Sequence, residues 1–238
     1  MKKNKIIRNI ALRRLGVERT YKPPSLIRHP EWNFQDVLSL AVGYRLATGT
    51  AFTFLQIGAF DGVNNDPLHA LINTFKLQGV LVEPQPAAFA ALEATYRDHP
   101  RITLVQAAVS HRNEVRPFYT SRNQATQVAS FSRQHLIDRK VPPPEILELQ
   151  IPCVTIESLL SKHSLASPDL IQIDTEGFDY EIIKTIDFTS VRPFVLRFEH
   201  EHLSQRDYDA SLALLAEQGY KFIIEKKDVN AIRWPPLA

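Results

Sequence analysis

A single cysteine, Cys153, stands in 238 residues. That scarcity excludes a disulfide framework and any zinc or iron–sulfur centre held by several cysteines; it fits a reducing compartment, with the lone thiol buried. Long apolar runs are missing as well. The best candidate for a membrane span, between Leu38 and Phe60, is broken by Gly43, Arg45 and Gly49, short of the roughly 18–20 apolar residues a span requires. Nor is a secretory leader expected. Ile6, Ile7, Ile10, Leu12 and Leu15 are interspersed with Arg and Asn rather than gathered into one apolar stretch, so the expected location is the cytoplasm. A G-x-S-x-G nucleophile elbow is absent, and Cys153 has no plausible base beside it in sequence. No internal repeat occurs, and low complexity is confined to Pro142, Pro143 and Pro144.

Excess charge of one sign is also absent from the folded body. Residues 1–22 hold eight Lys and Arg against the single Glu18, a charge of +7 within a chain whose total is +2, so the remainder carries −5. An acidic body argues against nucleic acid as a partner, because neutralising phosphates takes clustered Lys and Arg on the folded surface. The basic segment has two readings: a short amphipathic helix making a peripheral membrane contact through residues 1–22, or a locally packed extension. Residues 1–50 are expected to form a basic, helical N-terminal extension, and residues 51–238 one α/β domain. The 44% hydrophobic content suffices for one large core.

From Ala51 onward, short runs rich in β-branched and aromatic residues alternate with stretches of helical period, the pattern of β-α units around a mostly parallel sheet. Strands are expected at Phe52–Ile57, Val80–Val82, Ile102–Ala107, Leu170–Ile173, Phe194–Phe198, Lys221–Glu225 and Ala231–Trp234. Helices are expected from Pro86 to Arg97, with Ala88, Phe89, Leu92 and Tyr96 inward, and from Ser204 to Gln218, stopped by Gly219. Residues 115–156 break the rhythm. Two short strands, Phe118–Thr120 and Ile151–Ile156, flank a polar stretch of the kind that makes a binding loop or lid, or else a plain surface loop.

The first β-α turn reads Gln56-Ile57-Gly58-Ala59-Phe60-Asp61-Gly62. Gly58 and Gly62 let the backbone turn tightly and approach a ligand with no Cβ in the way. About twenty residues on, Val82-Glu83-Pro84 ends the second strand with an acid able to accept both hydroxyls of an adenosine ribose. The middle glycine of G-x-G-x-x-G is missing. The next helix is read as opening Asn64-Asn65-Asp66-Pro67, with Asp66 as cap and Pro67 at its first position. A carboxylate there would repel pyrophosphate, and the charge pattern favours S-adenosylmethionine, a cofactor with an ammonium and a sulfonium but no phosphate.

A second concentration of chemistry is Ile173-Asp174-Thr175-Glu176-Gly177-Phe178-Asp179, with Arg197-Phe198-Glu199-His200-Glu201-His202 on the next strand. Both groups emerge at the strand ends where open parallel sheets bind ligands. The candidate catalytic residues are Asp174, Glu199 and His200, with Asp174 or His200 as the base that deprotonates a hydroxyl. The same rim offers Asp174, Glu176, Glu199 and His200 to a divalent cation, magnesium or manganese for oxygen ligands, iron or zinc for a mixed set. Glu201, His202 and Asp179 also admit a bland reading as residues facing water. The other histidines, His135 among them, lack ligand spacing.

These residues carry a resemblance. Ile57-Gly58-Ala59-Phe60-Asp61-Gly62, Val82-Glu83-Pro84-Gln85-Pro86, Ile173-Asp174-Thr175-Glu176-Gly177-Phe178-Asp179-Tyr180 and Phe198-Glu199-His200-Glu201-His202-Leu203, collinear over about residues 51–234, resemble the FkbM-like S-adenosylmethionine-dependent methyltransferases. The resemblance implies a class I methyltransferase fold: a Rossmann-like, seven-stranded, mostly parallel sheet with helices on both faces and an antiparallel last strand. It implies O-methylation of a sugar, glycan or related natural product. Carried over by position, Gly58, Ala59, Asp61 and Gly62 would wrap the methionine end of S-adenosylmethionine beside Gln56. Glu83, with Pro84, would take the ribose, and Gln106, Ala107 and Ala108 would border the adenine. Asp174 would lie beside the methyl donor. Phe60 stands where many relatives have Asn.

On this reading the methyl group moves by in-line displacement at the sulfonium, with proximity supplying most of the rate. The inserted loop, through Arg122, Asn123, Gln124, Gln127 and Arg133, would cover a hydroxyl-rich acceptor. Two other readings stand beside it. One is a catalytically silent cofactor-binding or membrane-docked scaffold. The other is a nicotinamide-dependent oxidoreductase, against which Asp66 and the missing glycine speak.

Overall fold

The computed structural model describes residues 26–27, 34–122 and 126–233. The strands expected from Phe52 onward lie side by side as β2 (Thr53–Ile57), β3 (Gln78–Val82), β4 (Ile102–Val105), β8 (Leu170–Ile173), β9 (Val195–Glu199), β10 (Lys221–Ile224) and β11 (Asp228–Ile232). A two-residue strand, β1 (Leu26–Ile27), pairs parallel with β10 at the sheet edge. The order is β1-β10-β11-β9-β8-β2-β3-β4. All neighbours run parallel except β11, which is antiparallel to both β9 and β10. Without the edge strand this is the seven-stranded class I methyltransferase sheet.

Sequence dictates the layering. β2, β8 and β9 are buried almost end to end, as strands covered on both faces must be. Leu55, Ile57, Ile171, Ile173, Leu196 and Phe198 pack on one side with α5 (Ile156–Lys162), α6 (Asp179–Ile183) and α7 (Gln205–Glu217). Phe54, Leu81, Leu170 and Val195 pack on the other with α1 (Phe34–Ala47), α2 (His69–Phe75) and α3 (Pro86–Tyr96). Each such side chain contributes roughly 1.5–3 kcal/mol on leaving water. Ser204 caps α7 by accepting the Asp207 N–H at 3.1 Å.

Three boundaries differ from expectation for physical reasons. The last strand begins at Asp228, not Ala231, because Asp228 and Asn230 take ladder positions opposite Glu199 and Arg197. Asp228 pairs with Arg197, so its polarity did not end the strand. Residues 115–156 build more than two short strands. β6 (Glu114–Ser121) and β7 (Ile146–Val154) pair antiparallel, and β7 also pairs parallel with β5 (Ala108–Val109), forming a separate three-stranded sheet. Between them lies α4 (Arg133–Asp138). The helix expected from Asn64 begins at His69, with Leu68 rather than Asp66 as its cap residue.

Of the N-terminal extension, α1 packs Phe34, Leu38, Ala41 and Val42 into the core. Residues 1–22, Trp32, Asn123, Gln124 and Trp234, on which several expectations rested, lie outside the described residues. No helix among the described residues is long and apolar enough to cross a membrane.

Candidate active site

The turn after β2 is fixed by its neighbours. The N–H groups of Gly58 and Ala59 both donate to the Val82 carbonyl, at 2.9 and 3.0 Å. Gly58 has φ +82°, and a Cβ there would lie 1.8 Å from the Asp174 carbonyl oxygen. Gly62 has φ +72°, and a Cβ there would strike Leu92 and Tyr96. The two glycines therefore serve close approach within the protein itself. Phe60 sits at φ +49°, a conformation in which Asn is several-fold enriched, so the departure from Asn falls on a left-handed residue.

Glu83 is buried, 3% exposed. Its Oε2 accepts the Phe60 N–H and its Oε1 the Gln85 N–H, both at 2.9 Å. Burial pushes its carboxyl up to about 7, against the pull of those hydrogen bonds. The acid at the end of β3 thus ties the glycine turn to the start of α3.

Both features open onto one cavity of about 430 Å3 at the carboxyl ends of the strands. Of the residues expected at the cofactor, Gln56, Gly58, Ala59, Glu83, Pro84, Ala107, Ala108 and Asp174 line it. Asp61, Gly62 and Gln106 are not among its lining residues. Asp61 instead closes its own turn, accepting the N–H groups of Val63 and Asn64 at 2.9 and 2.8 Å. Asp66 lines the cavity and accepts the Leu68 N–H at 2.8 Å, so a carboxyl group does occupy the approach to α2, with burial pushing its pKa up.

The far wall comes from β8 and β9. Asp174 donates its backbone N–H to the Ile57 carbonyl at 2.9 Å. Burial, then the charges of Glu176 and Asp228, push its carboxyl up to about 7. Glu199, 7% exposed, is pushed up to about 9 by burial and then by Asp174, Glu176 and Asp179. Asp179 does not face water. It is fully buried, accepting the Thr175 hydroxyl at 2.9 Å and the Glu199 N–H at 3.2 Å, and burial pushes its carboxyl up to about 8.

His202 is likewise no solvated strand end: its side chain is 10% exposed, with Nε2 3.2 Å from Glu176 Oε2 and 3.7 Å from Glu199 Oε2. Burial holds its imidazole below the ordinary range. Among the described residues, the group able to hold one ion is Glu176, Glu199 and His202; Asp174 and His200, expected with them, are not in it. His200 packs its ring against Tyr208 instead. Glu201 is exposed and paired with Lys227 at 2.5 Å.

Two features escaped sequence reasoning. His135, on α4, brings Nε2 to 3.1 Å from Glu176 Oε2 across 41 positions. Gln56, Gln172, Arg197 and Asn230 are register partners across β2, β8, β9 and β11, a buried polar row on one face of the sheet. Among the described residues, Gln56 Oε1, Gln172 Oε1, Arg197 Nε and both amide atoms of Asn230 have no hydrogen-bond partner. Each was visible as a polar interruption of an apolar strand. The inserted sheet closes over the cavity through Gln85, whose Oε1 accepts the Thr120 hydroxyl at 2.7 Å, and through Gln127, bonded to Asn65 at 3.0 Å. Of the loop residues expected at an acceptor, Gln127 lines the cavity, while Arg122 and Arg133 do not.

The chain matches the Methyltransferase FkbM domain family over residues 56–222. Among solved structures it is similar to the methyltransferase FkbM from Methylobacillus flagellatus, with a TM-score of 0.52 and 16% identity over 77% of this chain and 44% of that one. This chain therefore spans less than half of that protein's length. The methyltransferase PaMTH1 of Podospora anserina and the N-terminal domain of human METTL16, both with bound SAH, each give a TM-score of 0.44 at 13% identity. They match over 87% of this chain and over 83% and 73% of their own. No curated protein matches the sequence. With its family's domain spanning more than half of its length and the strand order to match, the chain belongs to the FkbM methyltransferases.

Proposed function

We propose that the protein transfers the methyl group of S-adenosylmethionine to a hydroxyl of a sugar, glycan or related natural product, with residues 51–238 as the catalytic domain. The observation that carries this reading is the convergence of the Gly58–Phe60 turn, the Glu83 carboxylate and Asp174 on one cavity. Glu83 is assigned to the ribose and Ala107 and Ala108 to the edge of the adenine. The turn and Gln56 are assigned to the methionine end. Asp66 favours a cofactor without phosphate, since its carboxylate stands ahead of α2 where a pyrophosphate would seek N–H groups.

The acceptor enters over β8 and β9. The unpartnered atoms of Gln172 and Arg197, both on the cavity wall, are what a hydroxyl-rich molecule can satisfy. Its attacking oxygen forms a bond to the methyl carbon as the carbon–sulfur bond breaks, releasing S-adenosylhomocysteine, and the hydroxyl proton passes to Asp174. Alignment and exclusion of water supply most of the acceleration.

The test is calorimetric titration of the full chain with S-adenosylmethionine, S-adenosylhomocysteine and NAD, beside Glu83→Gln. It is paired with transfer of labelled methyl from S-adenosylmethionine to glycan and sugar pools. Micromolar binding of the first two, weakened about tenfold or more in the variant, and label appearing as a methyl ether are expected. Binding of NAD alone, or of none, overturns the cofactor. Tight binding with no transfer to any hydroxyl pool overturns the reaction and leaves a cofactor-binding scaffold.

A further inference from the structure

At the rim of the cavity, where the inserted sheet meets the strand ends, three side chains from different segments converge on one point. Glu176 follows β8, Glu199 ends β9, and His202 lies in the turn beyond it. His202 Nε2 stands 3.2 Å from Glu176 Oε2 and 3.7 Å from Glu199 Oε2. Donors about 2.0–2.2 Å from a single ion at tetrahedral angles stand about 3.4 Å apart, so these separations already suit one ion.

The polar accounting points the same way. Glu199 is 7% exposed, and among the described residues neither its Oε2 nor His202 Nε2 has a hydrogen-bond partner. A buried acceptor left unpartnered costs about 1–3 kcal/mol, and two beside each other at a carboxylate-rich rim ask for a shared ligand. Of the neighbouring cations, Arg197 is paired with Asp228 and Glu225 and Lys227 with Glu201, while Arg139 lines the cavity and acts on His202 through its charge.

We propose that Glu176, Glu199 and His202 bind one first-row divalent cation of the manganese-to-zinc series, with His135 of the inserted helix as the positioning residue that holds Glu176. One imidazole with two carboxylates is a poor set for calcium or magnesium, which favour oxygen alone, and a good one for manganese, iron or zinc. His135, 3.1 Å from Glu176 Oε2, donates to a ligating carboxylate as outer partners of metal ligands do. Three protein ligands leave positions open, and Glu176 and Glu199 both line the cavity. An acceptor hydroxyl bound there would lose its proton more readily, the proton passing to Asp174 as its oxygen attacks the methyl group. That role rests on the methyl-transfer reading, whereas the binding of the ion does not.

The test uses the full chain stripped with chelator and titrated separately with Mn2+, Zn2+ and Mg2+ in the absence of S-adenosylmethionine, followed by calorimetry, thermal unfolding and, for Mn2+, electron paramagnetic resonance. One equivalent of Mn2+ or Zn2+ is expected to bind and raise the melting temperature, with Mg2+ at least about tenfold weaker. Glu199→Gln and His202→Gln should each weaken binding about 100-fold. His135→Ala should weaken it about tenfold and Glu217→Gln, at the exposed end of α7, not at all. Should Glu199→Gln fail to fold, His202→Gln and His135→Ala carry the comparison. Absence of stoichiometric binding to the folded wild-type chain overturns the proposal, as does binding that His202→Gln leaves unchanged. Failure of the methyl-transfer reading would show separately, as metal binding intact with no affinity for S-adenosylmethionine.

Discussion

Gly58 and Asp174 touch so closely that the missing Cβ of one would lie 1.8 Å from the backbone carbonyl of the other. The glycine turn and the acid of the opposite wall are therefore one rigid unit. Gly58→Ala should lower stability by at least about 2 kcal/mol, from the left-handed φ and the clash together. It should also weaken S-adenosylmethionine binding. Denaturant unfolding and calorimetry read the two effects, and an alanine variant of wild-type stability would show that the strands part freely.

Glu83 gives a pH signature. Its carboxyl titrates near 4.5 when unperturbed and is raised to about 7 in the fold. Between those values the folded state holds a proton that the unfolded state has lost. Its stabilising share is complete below the lower value and disappears as pH rises through the upper one. Glu83→Gln should reduce the fall of stability over this window by up to about 1.4 kcal/mol per pH unit, read from urea midpoints at a series of pH values. An unchanged slope would refute the assignment.

Asp179 separates charge from hydrogen bonding. Raised to about 8, it is largely protonated at neutral pH, and it satisfies the Thr175 hydroxyl and the Glu199 N–H. Asp179→Asn should cost under about 1 kcal/mol at neutral pH, whereas Asp179→Leu, which strands both donors, should cost roughly 2–4 kcal/mol. Equal costs in thermal unfolding would mean that shape, not pairing, governs the position.

Thr120 tests the attachment of the inserted sheet. Its hydroxyl donates to Gln85 Oε1 at 2.7 Å, and both residues are buried. Thr120→Val should speed amide exchange across β6 and β7 about tenfold, the equivalent of roughly 1–1.5 kcal/mol, and leave β2 and β8 unchanged. Uniform acceleration through both sheets would mean that they open as one.

Much of this architecture was legible in the residues. Leu170–Ile173 is a short apolar run ending in an acid, and β8 has those bounds; the runs at Phe52–Ile57 and Phe194–Phe198 came within a residue. Local pattern failed where tertiary pairing overrode it. Asp228 and Asn230 fall outside the expected last strand, yet both take ladder positions opposite β9, with Asp228 paired to Arg197. At the site, Glu83 and Asp174 could be found because strand ends are marked by a change of composition. His135 and Glu176 lie 41 positions apart, and no linear spacing signals an encounter that depends on how β6 and β7 pair. His200 rather than His202 is the expected ligand because nothing in the alternation of a strand end says which of two histidines the following turn draws inward.

The scarcity of cysteine leaves the molecule with a built-in probe. Cys153 is 3% exposed, opposite Ala108 in the small sheet, and packed with Phe118, Ala129 and Ile151. Ala108 also lines the cavity. A thiol reagent can reach Cys153 only when the inserted sheet parts, so its reaction rate clocks the opening of the cover over the cavity without any label being introduced. Since Ala108 and Cys153 share a rung, whatever fills the cavity beside one should slow the clock at the other.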